Sequence, residues 1–376
     1  MTTRVLLDAT TLPARAAGVG HYILSLVSEL AKRPEDIELH ATVKARDRER
    51  VGRRAPGATL HSVPVRSRPA RIVWEQIGLP SLANRLGIQV VHGPHYTLPV
   101  RLATPSVVTF HDPTFFTRPE LHERTKLVYF TKMARLAAAN ATRVIAVSEY
   151  SRRGAVEHGR ADPHRVDVVP LGVDLDRYQP NGELDVDERL RTRLGIRKPY
   201  FFWIGTIEPR KDVPTLVMSF APLVRAGAEL KLVLAGQPGW DTAEVERTIE
   251  RTGIGGRIFR PGYISEEEKI ALYRGAVAFV YPSIAEGFGM QVLEAMACGC
   301  PVITTTGSAP EEIGGDAVML VSSGDTEELR AAMERVLRDS DWVAGLRRSG
   351  VERAKSFSWG RTANGTLDVY RRAARV

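Results

Sequence analysis

The stretch FVYPSIAEGFGMQVLEAMACGCPVI, residues 279–303, decides the fold of this chain. It opens on an apolar run that predicts a short buried strand, followed by a loop that contains Gly287 and Gly289. Good helix formers begin at about Met290, and Gly299 closes the helix that they predict. A second apolar run follows, so the stretch reads as strand, glycine loop, helix and strand.

This arrangement predicts an anion site. Glycines directly before a helix let the backbone approach a ligand, and the first N–H groups of the helix carry partial positive charge. Such a turn suits a diphosphate. Glu286 and Glu294 would repel phosphate, so we expect them to accept hydrogen bonds from sugar hydroxyls on either side of it. Spacing alone leaves open a capped helix with two solvated glutamates.

The same residues resemble a known signature. Glu286 opens Glu-Gly-Phe-Gly, Glu294 follows eight positions later, and Ala-Met-Ala-Cys-Gly-Cys-Pro-Val comes next. This pattern resembles the Glu-x7-Glu motif of the family 4 retaining glycosyltransferases. The resemblance assigns Glu286 to the donor sugar and Glu294 to the nucleotide ribose. The further donor-binding residues that it implies here are Gly287, Phe288, Gly289 and Met290. Met290 and Gln291 replace the family's usual Leu-Pro, which affects the expected contour of the sugar pocket.

The fold implied by the resemblance is α/β and of the GT-B type. It has two Rossmann-like doubly wound domains with an interdomain cleft and a C-terminal crossing helix. The length of 376 residues suits two domains, and both halves alternate strand and helix patterns. We expect domains at 1–180 and 181–355, with 356–376 packing back on the first. The resemblance implies that the first binds the acceptor and the second binds the nucleotide sugar.

The composition indicates an ordinary globular protein, with 43% hydrophobic and 26% charged residues. No apolar stretch approaches the roughly 18 residues of a spanning helix, and the N-terminus has too short an apolar core for a signal peptide. Cys298 and Cys300 are the only cysteines. Two thiols without a nearby histidine make a poor metal site, so we interpret them as buried small residues in a cytoplasmic protein.

Positive charge is concentrated in the first half of the chain. Residues 1–180 contain 26 Lys and Arg against 17 Asp and Glu, whereas the remaining residues contain 26 against 27. The excess suggests a phospholipid surface, a phosphorylated acceptor or nucleic acid, or only a solubilising surface. Arg66, Arg68 and Arg71, with Trp74, motivate the hypothesis of peripheral contact with an anionic membrane. The chain lacks the basic–aromatic interleaving of nucleic-acid-binding modules, so no nucleic-acid partner is expected.

The first half contains its own glycine loop. A strand at 4–8 is followed by Gly18 and Gly20, predicted to lie in a loop, and by an amphipathic helix. A lone G-x-G is weak evidence, but family members have a similar loop that faces the donor. A strand at 106–110 ends at His111, which resembles the family's histidine at the edge of the acceptor cleft. A metal site formed by His111 with the other nearby histidines is the less favoured alternative.

The second half begins with a strand at 200–205 and a turn into a helix. Arg210 and Lys211 lie in that turn, where they would neutralise a diphosphate without a metal ion. An ion-paired helix start is the alternative. Gly205 and Thr206 begin a sequence that resembles the Gly-Thr-x-Glu-Pro-Arg-Lys subgroup, in which many members are mannosyltransferases. Tyr263 follows a strand whose end lies beside the nucleotide base in the family.

Further expectations concern local structure. The polar segment around 181–190 is predicted to be a linker, and 119–140 a long helix. The helical pattern at 71–86 is expected to break at Pro80. Two helices should be capped at their N-termini by Ser148 and by Ser265, the latter in a capping box.

The sequence thus predicts a retaining hexosyltransferase without cofactor or metal. Mannose from GDP-mannose is the favoured donor, and the acceptor is a hydroxyl of a glycan, glycolipid or small glycoside. No carboxylate pair suited to double displacement is recognised, so the donor phosphate is expected to take the acceptor proton. Another GT-B chemistry, such as a sugar-nucleotide epimerase or phosphorylase, remains an alternative. A non-enzymatic nucleic-acid binder is a weaker one.

Overall fold

A computed structural model describes residues 2–13, 18–122, 124–197, 199–240 and 242–376. The chain forms two compact units. The first runs to Gly172 and also includes Trp359–Val376, and the second is Val173–Ser358. Among the described residues, no helix combines the length and the apolar character needed to cross a bilayer.

The first unit is built on a seven-stranded parallel sheet with the order β3-β2-β1-β4-β5-β6-β7. Its strands are β1 (Thr3–Asp8), β2 (Ile37–Lys44), β3 (Thr59–Val63), β4 (Val90–Gly93), β5 (Ser106–Phe110), β6 (Arg143–Ala146) and β7 (Val166–Val168). Its helices up to Gly172 are α1 (Val19–Leu30), α2 (Arg48–Arg54), α3 (Arg68–Val73), α4 (Leu79–Arg85), α5 (Thr114–Thr117), α6 (Arg124–Asn140) and α7 (Glu149–Glu157). The central strands are buried on both faces, as expected for a parallel sheet covered by helices.

The second unit is built on a six-stranded parallel sheet with the order β10-β9-β8-β11-β12-β13. Its strands are β8 (Tyr200–Ile204), β9 (Lys231–Ala235), β10 (Ile258–Gly262), β11 (Phe279–Tyr281), β12 (Val302–Thr305) and β13 (Met319–Val321). Its helices are α8 (Leu184–Arg193), α9 (Val213–Arg225), α10 (Ala243–Thr252), α11 (Glu266–Gly275), α12 (Met290–Ala297), α13 (Ala309–Gly314), α14 (Thr326–Arg338) and α15 (Ser340–Ala354). Trp203 and Tyr273 are among the side chains fully buried in its core.

The last helix, α16 (Trp359–Ala373), belongs to the first unit. It packs on α1 and on the sheet near β5 and β6. Inside that unit the Tyr370 hydroxyl lies 2.6 Å from Nδ1 of His92, and Arg372 pairs with Asp167 at 2.9 Å. The prediction of two Rossmann-like α/β domains of the GT-B type is confirmed.

The strand order in each sheet reverses next to its first strand. In the first unit the chain builds outward from β1 to β3 and then returns to β4 on the other side of β1. In the second it builds from β8 to β10 and returns to β11. Open parallel sheets bind ligands at such switch points, beyond the carboxyl ends of the strands. The β1/β4 and β8/β11 edges are therefore where sites are expected.

The prediction of a linker around 181–190 is wrong, because much of this polar segment forms helix α8. Two of its charged residues are held inside the second unit. The carboxylate of Asp187 lies 3.2 Å from Nη1 of Arg274, and Arg191 donates to the carbonyl of Ala271 at 3.1 Å. Both Asp187 and Arg191 are buried. A charged residue can therefore be buried in a polar segment when it has a partner on the facing helix, as Asp187 and Arg191 have.

Two helix predictions in the first unit also need correction. The helix expected over 119–140 begins at Arg124 in the described residues, after a single 3-10 turn at Pro119–Leu121; residue 123 lies outside the description. Pro80 does not break its segment, because it lies in the first turn of α4, where no N–H donor is required. A π turn at Trp74–Gly78 joins α3 to α4.

The two large apolar residues of this π turn differ in burial. The sequence predicts both Trp74 and Ile77 as core residues; Trp74 packs against the core, whereas Ile77 is 70% exposed and is not a core residue. The predicted N-caps are confirmed. Ser148 accepts from the N–H of Ser151, and Ser265 forms a capping box with Glu268.

Candidate active site

A buried ion-pair cluster lies at the β8/β11 edge of the second unit. The carboxylate of Glu286 joins two cations, with Oε2 at 2.6 Å from Nη1 of Arg210 and Oε1 at 2.6 Å from Nζ of Lys211. Lys211 also donates to the hydroxyl of Tyr281 at 2.5 Å, and Arg210 pairs with Glu208 at 3.0 Å. The sequence-predicted residues Arg210, Lys211 and Glu286 are thus brought together.

Local structure explains why the two cations point to one place. Arg210 and Lys211 end a single 3-10 turn, Pro209–Lys211, and Asp212 follows with φ of 48°. Asp212 then caps α9 through the N–H of Thr215. On the facing strand, Pro282 ends β11 and the loop returns Glu286 toward the turn, where Ile284 N–H donates to the Arg210 carbonyl at 2.9 Å.

The electrostatics of the cluster follow from burial against pairing. Burial raises the pKa of Glu286, but Arg210 and then Lys211 outweigh it and hold that pKa at about 2. Burial lowers the pKa of Lys211, opposed by the charge of Glu286. Together with Glu208 the cluster holds two cations and two carboxylates. An incoming diphosphate therefore meets cations that already have partners, and it must share or replace them.

The glycine loop and α12 have the predicted form. Gly289 is the N-cap of α12 with φ of 90°, a left-handed conformation that favours glycine. A Cβ there would lie 3.0 Å from Cγ of Pro310. The N–H of Ala309 donates to the Glu286 carbonyl at 3.2 Å, so the start of α13 supports the loop. The first turn of α12 presents the positive end of the helix dipole at this edge.

Of the predicted loop residues, Gly287, Phe288 and Gly289 are buried and Met290 is half-buried. Gly287 and Met290 lie in the loop and at the first position of α12. Phe288 is only 5% exposed, and its ring packs edge-on against Phe357 with centroids 6.3 Å apart. The side chain of Phe288 is part of the core, so a donor contact at this position falls to its backbone.

Glu294 forms a second charged cluster, one turn into α12. Its Oε1 lies 3.0 Å from Nζ of Lys269, and its Oε2 accepts from the Tyr273 hydroxyl at 3.3 Å. Lys269 also lies over the ring of Tyr178 at 5.0 Å. The sequence analysis missed both partners of Glu294. Their spacing from Glu294 has no local pattern, and only the helical fold of α11 brings Lys269 and Tyr273 onto one face.

Thr206 and Tyr263 are both exposed side chains at the carboxyl ends of strands β8 and β10. Beside Thr206, the backbones of the strand ends approach closely. A Cβ on Gly236, which has φ of 125°, would lie 1.8 Å from the Gly205 carbonyl oxygen. The tight glycine pair keeps the edge of the sheet open beside the ion-pair cluster.

In the first unit, His111 follows β5 as predicted and is buried. Its Nε2 lies 2.8 Å from the Pro94 carbonyl oxygen, and its ring packs edge-on against Tyr22 with centroids 4.8 Å apart. Burial lowers the pKa of His111 to about 4, against the raising effect of the Pro94 hydrogen bond. The ring is neutral at physiological pH and donates through Nε2.

The alternative histidine metal site is not supported by the geometry. Both ring nitrogens of His92 are engaged, Nδ1 with Tyr370 at 2.6 Å and Nε2 with Thr109 at 2.8 Å. Burial lowers the pKa of His92 and of His95 to about 3. Within the described ranges, no group of three or more His, Cys, Asp or Glu side chains has the arrangement of a metal site.

The glycines of the first loop differ from the prediction. Gly18 is the N-cap of α1 with φ of 46°, but Gly20 lies inside α1 and is buried. The helix begins earlier than expected because Val19 already has helical geometry. Residues 14–17 of the predicted loop lie outside the described residues. In the second unit, both cysteines are buried and free, and burial raises the pKa of each thiol, which fits inert small residues.

Both halves of the chain match known families of proteins. The model for Glycosyltransferase Family 4 matches residues 16–177, and the model for Glycosyl transferases group 1 matches residues 186–357. The O-antigen chain mannosyltransferase B of Escherichia coli is 31% identical over 283 residues, which is 75% of this chain and 74% of that protein. The chain is a member of the family 4 glycosyltransferases.

Other similarities extend over nearly the whole glycosyltransferase chain. A D-inositol 3-phosphate glycosyltransferase of Segniliparus rotundus is 25% identical over 401 residues, 96% of this chain and 85% of that protein. The crystal structure of Anabaena HepE in complex with UDP-glucose superposes with a TM-score of 0.76 at 16% identity, covering 97% of this chain and 98% of that one. The structural similarity supports the GT-B fold.

Proposed function

We propose that this glycosyltransferase transfers a hexose, with mannose from GDP-mannose favoured, to an acceptor hydroxyl with retention at the anomeric carbon. The cluster of Arg210, Lys211 and Glu286 beside the glycine-started helix α12 is the observation that carries the proposal. It lies at the β8/β11 switch point, where an α/β sheet binds ligands. Cations and a helix N-terminus there suit a diphosphate.

Each site residue has a proposed role. Arg210 and Lys211 bind the diphosphate, and Glu286 exchanges part of its pairing with them for a hydroxyl of the donor sugar. Glu294 accepts the ribose hydroxyls, with Lys269 and Tyr273 fixing its carboxylate. Thr206, Gly287 and Gly289 line the diphosphate, and Tyr263 lies on the base side. His111 is assigned to the acceptor side, as the family resemblance implies.

The proposed reaction is a same-face substitution. The bond between the anomeric carbon and the diphosphate oxygen breaks as the acceptor oxygen bonds to that carbon. The proton of the acceptor hydroxyl passes to a departing phosphate oxygen. Arg210, Lys211 and the α12 N–H groups stabilise the charge that develops on the leaving group, which is the role of a divalent cation elsewhere. Positioning supplies the remaining acceleration.

Relatives support the donor class without fixing it. The E. coli relative is named a mannosyltransferase, whereas the Anabaena structure contains UDP-glucose. The name of the first and the UDP-glucose bound in the second support a nucleoside diphosphate sugar as the donor here. We propose a cytoplasmic enzyme of polysaccharide or glycoconjugate synthesis, and its two free cysteines fit a reducing compartment.

The donor can be identified by a thermal-shift panel of nucleoside diphosphate sugars, because a ligand that binds the native state raises its melting temperature. GDP-mannose is expected to give the largest shift. The stabilising donor is then incubated with oligosaccharide acceptors, and the product is examined by NMR for the configuration at the new linkage. Retention supports the proposal. Inversion at the anomeric carbon, or inversion at carbon 2 of the donor without acceptor, would contradict it.

A further inference from the structure

The first unit contains a pocket that the donor chemistry does not use. It has a volume of about 870 Å³ and lies at the β1/β4 switch point of the seven-stranded sheet. Its walls are residues at or after the carboxyl ends of strands of this sheet, including Thr10 and Thr11 after β1, Lys44 at the end of β2 and Thr97 after β4. Pockets of this size and position accept small organic ligands.

The charge of the pocket is one-sided. Five cationic side chains line it, and among the described lining residues there is no Asp or Glu. The five are Lys44, Arg46, Arg66, Arg68 and Arg71. An enclosed concentration of one sign of charge attracts ligands of the other sign.

Most of these cations lack a full counter-charge. Nζ of Lys44 donates to the Leu12 carbonyl at 2.9 Å and has no ion-pair partner in the described part of the chain, whereas Nε of Arg46 lies 3.6 Å from Oδ2 of Asp47. Burial, and then the nearby charge of Arg46, lower the pKa of Lys44. Arg66 and Arg68 have exposed side chains and no ion-pair partner in the described part of the chain. A bound anion would relieve this repulsion.

Arg71 is held against the wall by a buried carboxylate. Its Nη1 lies 2.7 Å from Oε2 of Glu75, and its side chain is only 15% exposed. Glu75 is 1% exposed and also accepts from Thr97 at 2.8 Å and from Gln76 at 3.0 Å. Burial of such a pair carries a desolvation penalty, but it fixes the direction of the Arg71 guanidinium. A site that fixes an arginine in this way is prepared for a specific anion.

The floor of the pocket adds hydroxyl donors. Oγ1 of Thr10 and Oγ1 of Thr11 are buried and have no hydrogen-bond partner among the described residues. Asp8 fixes this segment, since its carboxylate accepts from the Thr10 N–H at 3.1 Å and from the Thr42 hydroxyl at 2.7 Å. A buried hydroxyl without a partner is unfavourable, and an acceptor oxygen placed here would satisfy it.

We propose that this pocket binds a phosphate group of the acceptor substrate, as a phosphomonoester or diphosphate. The proposal rests on the transferase function proposed above. Phosphate suits the site because it brings up to two negative charges and several acceptor oxygens to a cluster of arginines. The pocket is too small for duplex nucleic acid. Arg71 faces the pocket, so it does not form a flat membrane-contact surface together with Arg66 and Arg68.

The test uses inorganic pyrophosphate as the probe, titrated calorimetrically into the whole protein with the stabilising nucleoside diphosphate present in excess. The pocket variant is Arg66→Gln with Arg68→Gln. The matched control is Arg53→Gln with Arg54→Gln, which removes the same charge from exposed positions on α2 of the same unit. We expect saturable binding to the wild type, at least tenfold weaker binding to the pocket variant, and unchanged binding to the control.

Two competitors identify the source of the phosphate. Mannose 6-phosphate represents a soluble acceptor, and phosphatidylcholine vesicles containing phosphatidic acid represent a lipid headgroup. Displacement of pyrophosphate by either one supports the pocket and names its source. The proposal is overturned if neither displaces pyrophosphate, if both double variants lose binding equally, or if the wild type does not bind. The donor thermal shift, measured in the same samples, separately shows whether the transferase proposal stands.

Discussion

At the scale of single residues, Glu286 shows how a buried carboxylate is kept ionised. Burial alone would favour its neutral form, but two cations at 2.6 Å reverse that preference. Arg210 and Lys211 can therefore bind an anion, and in the absence of the anion Glu286 stabilises both cations. A donor that offers phosphate to the cations and a hydroxyl to Glu286 can satisfy all three groups at once.

Replacing Glu286 with Gln should make the free energy of unfolding depend less on pH in the acidic range. The native pKa of Glu286, about 2, lies below its ordinary value of 4.5, so its ionised form stabilises the fold above pH 4.5. That contribution is lost as the pH falls toward 2. We expect Glu286→Gln to lower the free energy of unfolding by about 3 kcal/mol at pH 7 and by about half as much at pH 3.

Urea unfolding at the two pH values measures this difference. Glu352→Gln, which removes an exposed pair with Lys355, is the control and should change little at either pH. A Glu286→Gln effect of the same size at pH 7 and pH 3 would show that its charge does not stabilise the cluster.

His111 predicts an acid dependence in the first unit. Its native pKa of about 4 lies below the ordinary 6.5, so the unfolded chain binds a proton more readily than the native one. Stability therefore falls as the pH drops from 6.5 toward 4. Between pH 7 and pH 5, His111 should account for about 2 kcal/mol of the loss. His111→Asn should remove this part, as measured by urea unfolding, and the exposed His164→Asn should not.

The sequence predicted some of these residues and not others, for physical reasons. Glu286 and Glu294 lie in one short motif around a helix start, where spacing implies proximity. Lys269 is on another helix, and nothing in its own neighbourhood indicates that it pairs with Glu294. The pairing of Arg71 with Glu75 follows helical i, i+4 spacing, but its burial depends on how α3 packs. Local spacing predicts local contacts, whereas burial requires the whole fold.

At the scale of elements, the start of α12 depends on a glycine with two constraints. Gly289 is left-handed and lies beside Pro310, whereas Gly253, at the end of α10, is left-handed with no neighbouring atom that a Cβ would meet. The comparison separates backbone strain from crowding. Helix α8 resembles a linker in sequence because it is rich in charged residues. Its buried Asp187 pairs with Arg274 of α11, and the local sequence does not indicate this contact.

Gly253→Ala should cost about 1 kcal/mol from its left-handed backbone alone. Gly289→Ala should cost a further 1–3 kcal/mol, roughly, because the methyl group must displace Pro310 or the loop. Thermal unfolding of both variants measures the difference, and donor-induced stabilisation should be weakened only in Gly289→Ala. Equal destabilisation of the two variants would show that the contact with Pro310 is unimportant.

At the scale of the whole molecule, the chain completes its first unit only at its end. Helix α16 places Leu367 and Tyr370 in the core of that unit, and Arg372 pairs with Asp167 of β7. Val173–Ser358, in contrast, is one continuous segment with its own sheet and core. The resemblance predicted a terminal helix of this kind from a short tail, which local patterning alone does not place.

Removal of α16 should therefore affect the units differently. We expect a fragment of residues 173–358 to fold cooperatively and a fragment of residues 1–172 to remain expanded, because it lacks the partner of His92 and α1. Circular dichroism, size-exclusion chromatography and urea unfolding of each fragment test this. A compact and cooperative 1–172 fragment would mean that α16 is dispensable for the first unit.

The central claim is that Lys211 and its partners bind the diphosphate of a nucleotide sugar. Calorimetric titration with the donor identified in the thermal-shift panel tests it directly, using Lys211→Met and the control Lys355→Met, which removes the same charge from an exposed position of the same unit. Loss of one charged hydrogen bond of about 1.5–3 kcal/mol predicts binding at least tenfold weaker for Lys211→Met and unchanged for Lys355→Met. Equal donor affinity in the two variants, with both folded, would contradict the claim.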